Sequence, residues 1–177
     1  MIFISAGHHL RDSGAIGSGT QENLETIKFR DLVCSFLTSL GVAFKKDNDN
    51  ETLQEYFDRI KTGDGSVVLE FHFDSSGTGK AGGTTALVGN DADRLDKAFA
   101  KELADTTSFI LGVKNRGVKP ESQSHRGRLR IMRESGTVCL LEVCFIDNIE
   151  DMILYNQKKE ILANSIANIL ARYEALV

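Results

Sequence analysis

The sequence predicts a single α/β domain over residues 1–177, with a twisted, largely parallel (mixed) sheet and helices on both faces. Two observations predict it. Short apolar runs bounded by glycines, which suit buried strands, alternate with segments whose apolar residues recur at helical spacing. The chain has 177 residues, 41% hydrophobic and 26% charged, enough to bury one core and ordinary for a globular protein.

Met1–Ser5 is a short apolar run leading into glycine, and reads as a strand. Phe29, Leu32, Val33, Phe36, Leu37 and Leu40 then recur at helical spacing until Gly41. Thr20 is the expected N-cap of that helix, which puts Glu22 in its first turn, a favourable place for a carboxylate. Val42–Lys46 reads as a strand and Glu51–Lys61 as a helix stopped by Gly63. Ser66–Phe73 (SVVLEFHF) is strongly strand-like, and Thr84–Gly89 is another strand. Leu95, Phe99 and Leu103 mark a helix from about Asp91 to Leu111, followed by an irregular stretch with the only proline, Pro120. Arg128–Met132 and Thr137–Ile146 complete the strands, and Ile161, Leu162, Ile166, Ile169, Leu170 and Tyr173 stripe a last helix. Such alternation implies a largely parallel sheet covered on both sides, with its site outside the carboxyl ends of the strands.

Composition excludes several classes. A formal charge of −4 and a pI near 5.6 argue against a general nucleic-acid binder. Cys34, Cys139 and Cys144 form no CxxC pair and read as buried thiols of a protein made in a reducing compartment. The N-terminus shows neither a basic region nor a long apolar one, so no signal peptide is expected, and no apolar run approaches a membrane span.

The polar residues that interrupt this pattern gather at strand ends. The stretch FISAGHHLRDSGAIGSGTQE puts His8 and His9 directly after the first strand. His72 comes late in VVLEFHF and Glu142 late in CLLEVCF. Alternation along a strand sets Glu70, His72 and Asp74 on one face, and Leu140, Glu142 and Cys144 on one face. An isolated histidine there would read as a satisfied core residue; a convergent set reads as a site. Gly14, Gly17 and Gly19 lack both the Lys-Ser/Thr of a Walker loop and the spacing of a dinucleotide fingerprint, so they serve a tight loop. That loop leads to Glu22, whose carboxylate would point back toward the strand ends.

SAGHHLRDSGAIGSGTQENLE resembles the opening of zinc-dependent N-acetylmuramoyl-L-alanine amidases of the amidase-3 type. Those enzymes begin with a strand, a Gly-His pair, D-x-G-A-x-G and a Glu opening the first helix. VVLEFHFDSS resembles their second-histidine strand, and TVCLLEVCFIDNIEDMILY their strand ending in Glu-x-Gly-Phe-x-x-Asn. The motifs occur in the right order from Met1 to Tyr173. The resemblance implies one zinc per chain held by His8, Glu22 and His72, with Glu142 as the catalytic carboxylate. It also implies cleavage of the amide between the lactyl group of N-acetylmuramic acid and L-alanine of the peptide stem.

The chain departs from the family pattern at Ser5-Ala6 (often Asp-Pro), Asp74 (usually Asn), Glu70 (often Ser) and Cys144 (commonly Gly). Glu70 is expected to orient a ligand imidazole from behind, or else to compete with Glu22 as the oxygen ligand. His9 is expected to point elsewhere, and Cys144 to pack in the sheet. A basic run, Lys114, Arg116, Lys119, Arg126, Arg128, Arg130 and Arg133, joins His125 as either a solvated edge or a cationic rim for stem carboxylates. His125, Arg126 and Arg128 are the substrate-binding candidates. Some family members plug their zinc with an extra helical segment. Here only Val113 to Gly127 is left for one, so an open site needing no activator protein is expected.

The expected partner is peptidoglycan or a muropeptide, with no nucleic acid, no membrane span and no separate wall-binding domain within 1–177. With no visible leader, a phage or prophage endolysin released through a separate pore fits, alongside a cytoplasmic recycling enzyme or export by another route. Two other readings stay open: a zinc peptidase or carboxypeptidase cutting within the stem, and a catalytically silent glycan-binding module.

Overall fold

The computed structural model describes residues 1–177. Its elements are β1 (Ile2–Ala6), β2 (Ile16–Gly17), β3 (Thr20–Gln21), α1 (Glu22–Ser39), β4 (Phe44–Lys46), α2 (Leu53–Arg59), β5 (Val67–Asp74) and β6 (Thr84–Val88). They continue with α3 (Arg94–Leu111), β7 (Asn115–Pro120), 3-10 turns at Glu121–Gln123 and Arg130–Arg133, β8 (Thr137–Phe145) and α4 (Ile149–Glu174). Six strands form one sheet in the order β4-β1-β5-β8-β6-β7. All neighbours run parallel except β6 and β8, so the sheet is mixed and mostly parallel, as expected. No helix is long and apolar enough to cross a membrane.

The two faces are covered unequally, and that positions the site. Leu69, Phe71 and Phe73 of β5 join Phe29 and Val33 of α1, Phe99 and Leu103 of α3, and Tyr155 and Ile166 of α4 in the larger core. The opposite face carries a smaller cluster in which Val68, Leu140 and Leu87 meet Tyr56 and Phe57 of α2 and Ile131 of the second 3-10 turn. The cover on this second face is short, and the carboxyl ends of β5 and β8 open there into a cavity. Period-two alternation sends Glu70, His72 and Asp74 to this face and their apolar neighbours to the other.

Five local expectations are corrected. Arg128–Met132 is not a strand; Leu129 and Ile131 reach the smaller core from a loop and a 3-10 turn. The edge position belongs instead to the irregular stretch, which forms β7 beside β6. Gly117 and Pro120 hide that strand: Gly117 lies at a register shift (φ +81°), and Pro120 ends an edge strand, where an inner ladder loses no donor. Thr20 is not the N-cap of α1; Gln21 is, and the Thr20 hydroxyl donates to Glu25 Oε1 at 2.8 Å. Cys144 does not share the face of Glu142. Between the pairs His72–Glu142 and Asp74–Phe145, β8 holds one residue more than β5, and this bulge turns Cys144 into the larger core against Met152. Ile161, placed in the buried stripe of the last helix, is 62% exposed.

Candidate active site

β1 delivers the first histidine. Gly7 still pairs with the sheet, its N–H donating to Phe71 O, and His8 then takes a positive φ of 72°. That conformation is strained for a residue with a β-carbon and turns the imidazole back over the strand ends. Two glycines make room for the site. A Cβ on Gly7 would lie 2.3 Å from His72 Cε1, and one on Gly14 (φ +60°) would lie 2.6 Å from Glu22 Oε2. The small β2–β3 hairpin then returns the chain to α1, whose first residue is Glu22.

The Glu22 carboxylate lies between the two imidazoles. Its Oε1 faces His72 Nδ1 at 2.8 Å and its Oε2 faces His8 Nε2 at 3.2 Å. It also accepts the backbone N–H groups of Ala15 and Phe73. Burial opposes ionisation of Glu22, but hydrogen bonds and charge from His72 and His8 outweigh it and hold its carboxyl well below the usual range. The distal ring nitrogens are held as well: His8 Nδ1 faces Asp12 Oδ2 at 2.8 Å, and His72 Nε2 faces Glu70 Oε1 at 2.9 Å. Burial alone would depress both histidines; the facing carboxylates overcome it and raise both, His72 strongly.

This set fits a divalent cation. Each imidazole faces a carboxylate oxygen on both sides, yet a neutral ring has one proton to give. A cation among His8, Glu22 and His72, whose ligand atoms all lie within 4.8 Å of one another, removes that conflict and leaves the remaining protons for Asp12 and Glu70. Glu70, with Ser5 Oγ on its other oxygen, approaches His72 on the nitrogen opposite Glu22. Asp12 was missed in the sequence. Its position four residues after His8, at the start of the D-x-G-A motif, was the available signal.

Glu142 lies at the centre of β8, level with His72 on one side and Thr85 on the other. Its carboxylate has a buried oxygen, Oε2, with no hydrogen-bond partner. Burial raises its pKa to about 8; His72 opposes the shift, while Asp74, Glu22 and Glu70 add to it. One cavity of about 420 Å³ is lined by His8, Glu22, His72 and Glu142 on one side, and by His125, Arg126 and Arg128 on the other. His9 is not among its lining residues; its ring accepts the Arg11 N–H.

An α/β domain with two histidines, a carboxylate between them and a further glutamate with an unpartnered buried oxygen at the strand ends has the layout of a metal-assisted hydrolase. The chain belongs to the N-acetylmuramoyl-L-alanine amidase family (Amidase_3), which it matches over residues 2–172. It is similar to the endolysin of Bacillus phage SPP1, 27% identical over 171 residues, covering 94% of this chain and 62% of that protein. The chain spans 62% of that relative's length and 47% of that of a Clostridium perfringens relative. Among solved structures, an N-acetylmuramoyl-L-alanine amidase from Clostridium difficile 630 shares the fold with a TM-score of 0.79 at 19% identity, over 97% of this chain and 95% of that one. The CwlD amidase of Clostridioides difficile, solved in complex with the GerS lipoprotein, shares it at 0.76 and 16% identity, over 99% of this chain and 98% of that one.

Proposed function

We propose that the protein is a zinc-dependent N-acetylmuramoyl-L-alanine amidase that cleaves the lactyl–L-alanine amide of peptidoglycan. The observation that carries this is the His8–Glu22–His72 cluster beside the unpartnered carboxylate of Glu142 in one cavity. Zinc held by those three residues would acidify a water and polarise the scissile carbonyl. Glu142 removes a proton from the attacking water and returns it to the leaving nitrogen, the two transfers that amide hydrolysis needs. The cluster leaves Glu142 free of ligand duty, and added positive charge beside it favours its basic form. Asp12 and Glu70 hold the imidazoles by their outer nitrogens and fix the tautomers that face inward.

The substrate is reached from outside, since the cavity is open, and we propose that no activator is needed. Peptidoglycan as substrate places the action at the cell wall. Digestion of peptidoglycan followed by mass analysis tests the reaction. The expected products are N-acetylmuramic acid with a free lactyl carboxylate and peptides beginning with a free L-alanine amine. Cleavage inside the stem would make the enzyme a peptidase instead, and binding without cleavage a silent glycan-binding module. Zinc-loaded protein that stays inert until another protein is added would refute the unassisted site.

A further inference from the structure

We infer that the wall opposite the histidines binds a free carboxylate of the stem peptide, so that the enzyme prefers stems whose residue after L-alanine keeps its α-carboxyl over stems in which it is amidated. This deepens the amidase reading and rests on it. The wall is the segment between the two 3-10 turns, and its charges are not equivalent. Arg130 is neutralised by Glu134 at 2.6 Å and Asp58 at 3.5 Å, and Arg133 is paired with Glu121. Arg126 and Arg128 also line or flank this wall, yet both are exposed and neither takes part in an ion pair or side-chain hydrogen bond. Two unspent guanidiniums at the mouth of a cavity stand out in a chain whose net charge is −4.

The segment is also built in advance of any ligand. Glu121, 1% exposed, accepts the Leu129 N–H on one oxygen and Arg133 on the other, which ties both ends of the loop together. Ser124 accepts the Gly127 N–H on its hydroxyl and donates that hydroxyl to Glu121 O. Leu129 packs on the smaller core beneath. The only carboxylate within the loop is thus buried and consumed, and the two arginines remain for an incoming anion. The opposite side of the cavity is acidic, with Glu22, Glu70, Asp74 and Glu142 along it. Even with a divalent cation among the histidines these carboxylates outnumber its charge, so a substrate carboxylate is drawn to the wall, which orients the stem across the cavity. Arginine suits this role because its planar fork matches a carboxylate with two parallel hydrogen bonds. An amide in the same place keeps one acceptor but loses the charge.

Two synthetic N-acetylmuramoyl peptides differing only at the second stem residue, D-isoglutamate or D-isoglutamine, test this. For zinc-loaded wild type, kcat/KM should favour the acid by about tenfold or more, and added salt should shrink that ratio. In the Arg126→Ala, Arg128→Ala double variant the ratio should fall to about one, and in the double Lys variant it should be partly retained. Calorimetric binding of both peptides to Glu142→Gln reads the same preference without turnover. A wild-type ratio near one in both rates and binding, or a preference that survives in the Ala variant, would overturn the inference while leaving the amidase reading intact. Failure to cleave either peptide counts against the amidase reading alone, and the binding ratio then decides for or against the wall.

Discussion

Glu142 concentrates the proposed chemistry in one side chain, and replacing it separates catalysis from structure. Glutamine keeps the shape but cannot accept and return a proton, so Glu142→Gln should fold and keep its zinc while kcat on soluble muropeptides drops by roughly two to four orders of magnitude. Near-normal turnover with full zinc content would remove Glu142 from the mechanism; loss of zinc with activity would make it a ligand. The same residue sets a pH signature in metal-free protein. Its folded pKa of about 8 lies above that of an unfolded carboxyl, so the stability it contributes is complete below the unfolded value and is lost as pH rises toward about 8. Gln does not titrate, so the melting temperature of the metal-free variant should gain on wild type by several degrees between about pH 5 and about pH 8, then hold level. A gap that stays constant over that range would contradict the buried, proton-binding state. Gly7 gives a third test. Gly7→Ala places a methyl 2.3 Å from the His72 ring, so the ring must move, and zinc affinity measured by chelator competition should fall at least about tenfold in a protein that still folds. Wild-type affinity in that variant would show that the close approach is unimportant. At this scale the sequence was informative where a polar residue broke an apolar strand, as at His72 and Glu142. For Asp12 it offered only the spacing from His8 and the D-x-G-A motif, since the contact with His8 Nδ1 also depends on a positive φ that spacing does not encode.

Among the elements, α1 does more than open with Glu22. Arg30 lies fully buried on it and donates to Asp47 at 2.7 Å and Asp49 at 2.6 Å, while Asp47 also accepts the Ala6 N–H two residues before His8. The helix thereby ties the end of β1 to the strand that flanks it. Arg30→Met would strand a buried carboxylate, costing about 3–5 kcal/mol in a urea titration, and should loosen zinc binding through Ala6 as well. A loss below about 1 kcal/mol would mean that water already relieves the cluster. Strands with β-branched or aromatic alternation, such as β5 and β8, and helices with a regular stripe, such as α3, were legible because one dominant force, burial, fixes their period. β7 was not, because its Asn, Gly and Pro carry the marks of a loop and only an available sheet edge makes it a strand. The bulge in β8 was equally hidden, since it depends on the register against β5 rather than on β8 itself.

For the molecule as a whole, the proposed zinc would tie stability to metal. The three proposed ligands come from the β1 loop, the start of α1 and the end of β5, so binding would favour the folded chain alone. Zinc at about a hundredfold over its Kd should add about 2.7 kcal/mol, a rise of roughly 5–10 °C in melting temperature, and the His8→Ala, His72→Ala variant should show none of it. An equal rise in that variant would place the metal elsewhere. Global architecture was readable because three motif stretches far apart in the chain had to meet at one end of one sheet. The unequal covering of that sheet was not, since it follows from how little of α2 and the 3-10 turns reaches the second face. That inequality has an evolutionary consequence. The segment Glu121–Gly136 supplies one wall of the cavity and no strand of the sheet, and touches the interior through Glu121, Leu129, Ile131 and Met132. Sequence divergence at Ser122–Arg128 would alter the wall while sparing the strands that carry His72 and Glu142, provided that Glu121, Leu129 and Ile131 remain to hold the loop.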